Sequence, residues 1–124
     1  MKDPSFTERE LDIMSVLWRL ESGSVAEVRK AMGDSVGYTT VLKILQILEE
    51  KGAVRHEAEG RAYRYFPTVQ PEAAGETALS KILEKIFGGS AELLLTQLVS
   101  DRKIEPSELR RMKRLLDEME EGES

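Results

Sequence analysis

Apolar and polar positions along this chain follow two different periods, and the change from one to the other divides it into elements. Leu11, Met14, Leu17 and Trp18 recur at the spacing of one buried helical face. Thr7-Glu8-Arg9-Glu10 ahead of them is a capping box, and Phe6 with Leu11 forms a hydrophobic staple. Ser22-Gly23 ends this helix. A second box, Ser24-Val25-Ala26-Glu27, starts a shorter helix that Gly33 ends. A two-residue break between capped helices predicts helix, tight turn, helix. A third helix is expected from about Tyr38 to Lys51. Its stripe of Val41, Leu45 and Leu48 should face the first two helices, and Gly52 stands where a left-handed C-cap belongs. The period then shortens to two. Arms near Val54–Glu57 and Ala62–Phe66 predict a hairpin turned by Ala58-Glu59-Gly60-Arg61, with Gly60 supplying positive φ. Tyr63 and Tyr65 share one face, where they are expected to close over the core, and Arg64 and Phe66 share the other.

Helical spacing returns beyond Pro67 and Pro71. Leu79, Ile82, Leu83 and Ile86 form one apolar stripe, broken by Gly88-Gly89. Ser90 caps a helix carrying Leu93, Leu94, Leu95, Leu98 and Val99. Glu105-Pro106 opens another, with Leu109, Met112, Leu115, Leu116 and Met119 on its apolar side. Three short amphipathic helices cannot enclose a stable core alone, and the simplest cover for their surplus apolar surface is an identical copy. Leu79, Ile82, Leu83, Ile86, Leu94, Leu98, Leu109, Met112 and Leu116 are therefore the expected dimerisation residues.

A helix running directly into a hairpin with basic arms is the recognition half of a winged helix-turn-helix. The expected fold is mostly α with a small β-hairpin: a winged-helix DNA-binding domain over residues 1–70, then a helical dimerisation region over residues 71–124.

Composition changes this picture in two ways. Forty per cent apolar and 33% charged residues indicate neither disorder nor a membrane span, and no apolar run exceeds three residues. The N-terminus turns acidic too early for a leader peptide. No cysteine is present, which excludes disulfides and thiolate chemistry and fits a reducing cytoplasm. The net charge of −5 is unusual for a DNA binder but uneven. Residues 1–70 hold ten Lys/Arg against eleven Asp/Glu, whereas residues 71–124 hold eight against twelve. Local patches govern DNA binding more than the sum does, so modest non-specific affinity with strong salt sensitivity is expected.

The words Tyr38-Thr39-Thr40-Val41-Leu42, Leu45-Gln46, Leu48-Glu49-Glu50-Lys51-Gly52, Arg61-Ala62-Tyr63-Arg64-Tyr65 and Phe87-Gly88-Gly89-Ser90 carry a resemblance in their order and spacing. With them the chain resembles the BlaI/MecI/CopY family of bacterial repressors, also called penicillinase repressors, over essentially its whole length. The resemblance implies a cytoplasmic homodimer that binds a palindromic operator in double-stranded DNA and represses transcription. In the best-known members a membrane sensor of metalloprotease type leads to cleavage at an Asn-Phe bond in the dimerisation region. That bond aligns with about Gln97-Leu98, so this chain departs from the pattern there. Copper-responsive members use C-terminal cysteines, which are absent here, and no metal or cofactor is expected. Ile47 stands where the family commonly has arginine. It either packs against its own hairpin or alters the operator contact.

Tyr38, Thr39, Thr40, Lys43 and Gln46 read either as a helix start with solvated side chains or as DNA contacts. Their position opposite Val41 and Leu45 favours contact. On the hairpin, Arg61 and Arg64 complete the candidate DNA-binding set. Arg55 and His56 read as an ordinary charged edge or as wing contacts, with His56 a polar wing residue rather than a pH switch. Trp18 reads as core. No nucleophile–base pair, metal spacing or phosphate-cradling glycine loop points to an enzyme. The alternative is a winged helix used for protein–protein docking without DNA, in which Ile44 and Ile47 would form an exposed apolar patch.

Overall fold

The computed structural model describes residues 5–33, 36–101 and 104–123; residues 1–4, part of the stretch read against a leader peptide, lie outside them. The chain divides into two compact units, one ending at Ser80 and the other starting at Lys81.

In the first unit α1 spans Glu8–Leu20. Its capping box forms as the sequence requires: the Glu10 N–H donates to Thr7 Oγ1 at 3.2 Å, and the Thr7 N–H donates to Glu10 Oε1 at 2.9 Å. The buried stripe differs from expectation. Ile13, Met14, Val16 and Leu17 are buried, whereas Leu11 is 38% exposed at the edge of the helix face. Trp18 packs partly against the core and donates its indole N–H to the Val69 carbonyl at 2.7 Å.

The break after α1 is more than a turn. Glu21 caps the helix in the left-handed region (φ 73°), and Gly23–Ser24 then forms a short strand, β1. The Ser24–Glu27 box opens α2, Val25–Met32, with the Glu27 N–H donating to Ser24 Oγ at 3.1 Å.

Helix α3 spans Tyr38–Glu50, and Val41, Leu45 and Leu48 are fully buried beneath it. It ends in a Schellman motif: the Gly52 N–H reaches Glu49 O at 3.0 Å and the Ala53 N–H reaches Leu48 O at 2.9 Å. Gly52 takes φ 80°, a conformation a side chain would oppose.

Strands β2 (Val54–Glu59) and β3 (Ala62–Pro67) follow, joined through Gly60-Arg61 with Gly60 at φ 62°. The turn is thus tighter than the four residues expected. The antiparallel sheet has the order β1-β3-β2, and β1 pairs Gly23 with Tyr65 and Ser24 with Arg64. Tyr65 closes over the core, 2% exposed, but Tyr63 does not. It lies farther along the wing, beyond the core's edge, with its ring 4.5 Å from that of His56.

A polar clamp joins the ends of α1 and α3. Lys51 Nζ donates to Glu10 Oε1 at 2.6 Å and to the Ser5 carbonyl at 3.3 Å. Burial alone would raise the Glu10 carboxyl, but the hydrogen bonds from Lys51 and from Thr7 outweigh it and hold the group below the usual carboxylate value.

Helix α4, Pro71–Lys85, contains the division between the units. In the second unit Gly88 and Gly89 both take positive φ and end its path, with the Gly89 N–H returning to Leu83 O at 2.8 Å. Ser90 caps α5, Ala91–Ser100, by accepting from the Leu93 N–H at 3.1 Å. Helix α6 spans Pro106–Glu123. The apolar stripes of these helices stay open to solvent: α5 has no buried residue, and Ile86, Leu93, Leu115, Leu116 and Met119 are all more than half exposed. Among the described residues no helix is long and apolar enough to cross a membrane.

Candidate nucleic-acid interface

The same 3.6-residue period that buries Val41, Leu45 and Leu48 turns Tyr38, Thr39, Thr40, Lys43 and Gln46 outward, and all five are exposed. The start of α3 is open as well. Helices α1, α2 and α5 have a hydroxyl cap, but α3 begins at Gly37 with no side-chain cap bond. A helix start without a cap keeps hydrogen-bond donors and positive dipole for an incoming anion.

Beside α3, the wing and the start of α2 enclose a groove of about 330 Å³. Tyr38, Leu42 and Gln46 form one wall, Arg61, Ala62, Tyr63 and Tyr65 another, and Ser24, Val25 and Ala26 the third. The structure therefore brings Tyr38 and Gln46 of α3 together with Arg61 of the hairpin turn, with Thr39, Thr40 and Lys43 on the exposed side of the same helix. The contribution of α2 was missed in the sequence. Its capping box located the helix but carried no sign of which element it would face.

The cations differ in availability. Among the described residues Lys43 and Arg61 make no ion pair or hydrogen bond, so both are free to meet an external anion. Arg55 pairs with Glu57 and lies 4.3 Å from the centre of the Phe66 ring. Arg64 is taken up within the chain: its guanidinium reaches Glu59, Glu27 and Ser22. The hydrogen bond from Arg64 holds the Glu59 carboxyl below its ordinary value.

A second polar cluster ties the wing to the far end of α3. His56 Nδ1 lies 2.7 Å from both carboxylate oxygens of Glu49, and its ring leans on Tyr63 and Tyr65. Burial, with the charge of Glu49 adding to it, pushes the Tyr65 phenol up, so that group remains neutral.

Ile44 packs against the core and Ile47 is half-buried. Neither is among the exposed large apolar residues, so the patch that a docking module would need on α3 is not formed. Among the described residues no group of three or more His, Asp or Glu side chains could hold a metal ion.

The family model described as penicillinase repressor matches residues 6–118. The penicillinase repressor of Bacillus licheniformis is 24% identical over 119 residues, which cover 94% of this chain and 93% of that protein. A solution structure of the DNA-binding domain of the repressor BlaI superimposes with a TM-score of 0.53 at 32% identity, covering 59% of this chain and 93% of that one. The monomeric form of Bacillus licheniformis BlaI, in complex with the blaP half-operator, gives a TM-score of 0.50 at 31% identity over 58% of this chain and 90% of that one.

Proposed function

Because the chain belongs to the penicillinase repressor family, we propose that it is a DNA-binding transcriptional repressor, acting from the cytoplasm as a homodimer and without enzymatic activity. The observation that carries this reading is the two-sided α3. Three fully buried side chains seat it in the core, while Tyr38, Thr39, Thr40, Lys43 and Gln46 face outward beside an unpaired Arg61. Likeness to a relative solved in complex with a half-operator supports the same reading.

The mechanism is insertion of α3 into the major groove with the wing alongside the backbone. Lys43 and Arg61 neutralise phosphate, Thr39 and Thr40 meet phosphate or base edges, Gln46 offers its amide to a base edge, and Tyr38 packs at the groove wall. Two copies, joined through the apolar faces of the C-terminal helices, would read the halves of a palindrome and exclude polymerase. The exposed Leu79, Ile82, Ile86, Leu98, Leu109 and Leu116, with half-buried Leu83, Leu94 and Met112, supply that face. The resemblance adds a sensor protease as a partner. Gln97 and Leu98 lie within α5, where the Gln97 amide bonds Asp101 Oδ1 at 3.2 Å, so cleavage there requires α5 to open first.

Duplex titration at several salt concentrations tests the reading. Affinity should fall steeply with salt, and Lys43→Ala or Arg61→Ala should each weaken binding by about 1 kcal/mol and lower the slope by about one, leaving thermal stability unchanged. Salt-independent binding, or full affinity in both variants, would remove the assigned surface.

A further inference from the structure

We propose that Arg64 is a positioning residue for the wing, holding the tip and its Arg61 in place against the turn after α1 and the start of α2, and is not itself a phosphate ligand. The inference rests on the DNA-binding reading above.

Every guanidinium nitrogen of Arg64 is engaged within the chain. Nε donates to Glu59 Oε2 at 2.6 Å, Nη1 to Ser22 Oγ at 3.0 Å, and Nη2 to Glu27 Oε2 at 2.9 Å. These partners lie in three places: near the wing tip, in the turn after α1, and in the first turn of α2. The backbone of Arg64 is central too, since β3 pairs it with Ser24 of β1 and with Glu57 of β2. Glu27 divides its two oxygens between functions. Oε2 takes Arg64, and Oε1 accepts the Ser24 N–H at 3.4 Å that closes the α2 capping box. One side chain thus links the projecting end of the hairpin to the helix-turn-helix.

The charge balance opposes a direct contact. One guanidinium faces two carboxylates, so the cluster is net negative and offers no attractive field to a phosphate. Swinging Arg64 onto DNA would also leave Glu27 and Glu59 unpaired beside the backbone. Arg61, three residues away at the exposed tip, has none of these ties.

Substitutions in the full chain separate the two roles, using a duplex recovered by the unaltered protein from a random-sequence pool and titrated between about 50 and 200 mM salt. A phosphate ligand works as a point charge, so Arg64→Lys would keep affinity and slope. A positioning residue needs the planar fork, so Arg64→Lys is expected to bind about tenfold more weakly with the slope unchanged. Arg61→Ala, in contrast, lowers the slope by about one. Glu59→Gln, at an exposed site, makes the wing more positive yet is expected to weaken binding about threefold. Wild-type behaviour of Arg64→Lys, a slope lowered by about one in Arg64→Ala, or tighter binding by Glu59→Gln overturns the proposal. If the unaltered protein shows no salt-sensitive duplex binding, the DNA reading fails instead. Amide exchange at Gly60 and Ala62 then decides: faster exchange in Arg64→Lys and Glu59→Gln supports positioning, and unchanged exchange overturns it.

Discussion

The two units of this protein treat apolar surface in opposite ways. Up to Ser80 the chain encloses Ile13, Met14, Leu17, Val28, Val41, Leu45 and Leu48 completely, drawing them from three helices, while Tyr65 of the sheet closes over them. From Lys81 onward the aliphatic content is as high, but among the described residues that unit does not enclose it, and Leu93, Leu115 and Leu116 are each more than half exposed. Patches of this kind are rare on solitary proteins. A helix stripe becomes a core only when another element lies across it. The first unit supplies that element internally, through the sheet and the crossing helices; in the second, the proposed dimer partner would supply it.

The contrast can be broken from either side. Leu45→Ala should cost the first unit about 2–5 kcal/mol, because a fully enclosed side chain leaves a cavity that the surrounding core refills only in part. Its mark is a lower chemical-denaturation midpoint at every protein concentration. Leu98→Glu in α5 should leave the isolated chain's stability almost unchanged, yet weaken self-association by about 2–3 kcal/mol. Sedimentation would then show monomer at concentrations where the proposed dimer of the unaltered protein is expected. Equal loss of folding stability in the two variants would erase the distinction.

The clamp between Lys51 and Glu10 sharpens the contrast, since it belongs to the enclosed unit alone. The Glu10 pKa is lowered on folding from an ordinary value near 4.5, so the unfolded chain takes up the proton first as pH falls. Its contribution is complete above that value and disappears as pH drops through the lower native one. Glu10→Gln should cost roughly 2 kcal/mol at neutral pH and flatten the acid limb of the stability profile, as followed by urea titration. An acid limb identical to that of the unaltered protein would show that Lys51 contributes nothing to it. The smallest effect is expected at Glu21, the sole non-glycine among the described residues with positive φ. Glu21→Gly should stabilise the fold by about 0.5–1 kcal/mol, read as a slightly higher thermal midpoint, without changing association.

Much of the architecture was legible because it is local. Both capping boxes, the α3 stripe, Gly52 and the Ser90 cap depend on residues within a few positions of one another, and each formed where the pattern placed it. What escaped is long-range. Strand β1 has only two residues, too few to show a period, and exists because β3 pairs with it. Tyr63 obeyed the alternation, but how far the core extends beneath the hairpin is a tertiary fact. Arg64 looked like Arg61 in sequence. Two of its partners lie 37 and 42 residues away, and nothing in the local words distinguishes a tethered cation from a free one. The outward face of α3 could be read directly, whereas the wall that α2 adds to the groove could not.

Ala53 has one further consequence. Its N–H holds Leu48 O at 2.9 Å and its carbonyl accepts from the Thr68 N–H at 2.8 Å, so a single residue fastens the end of α3 to both arms of the hairpin. The linkage contains no slack that an inserted residue could occupy. Descendants of this sequence can therefore change their target by exchanging side chains on a fixed frame, while a lengthened joint would misalign helix and hairpin at one stroke.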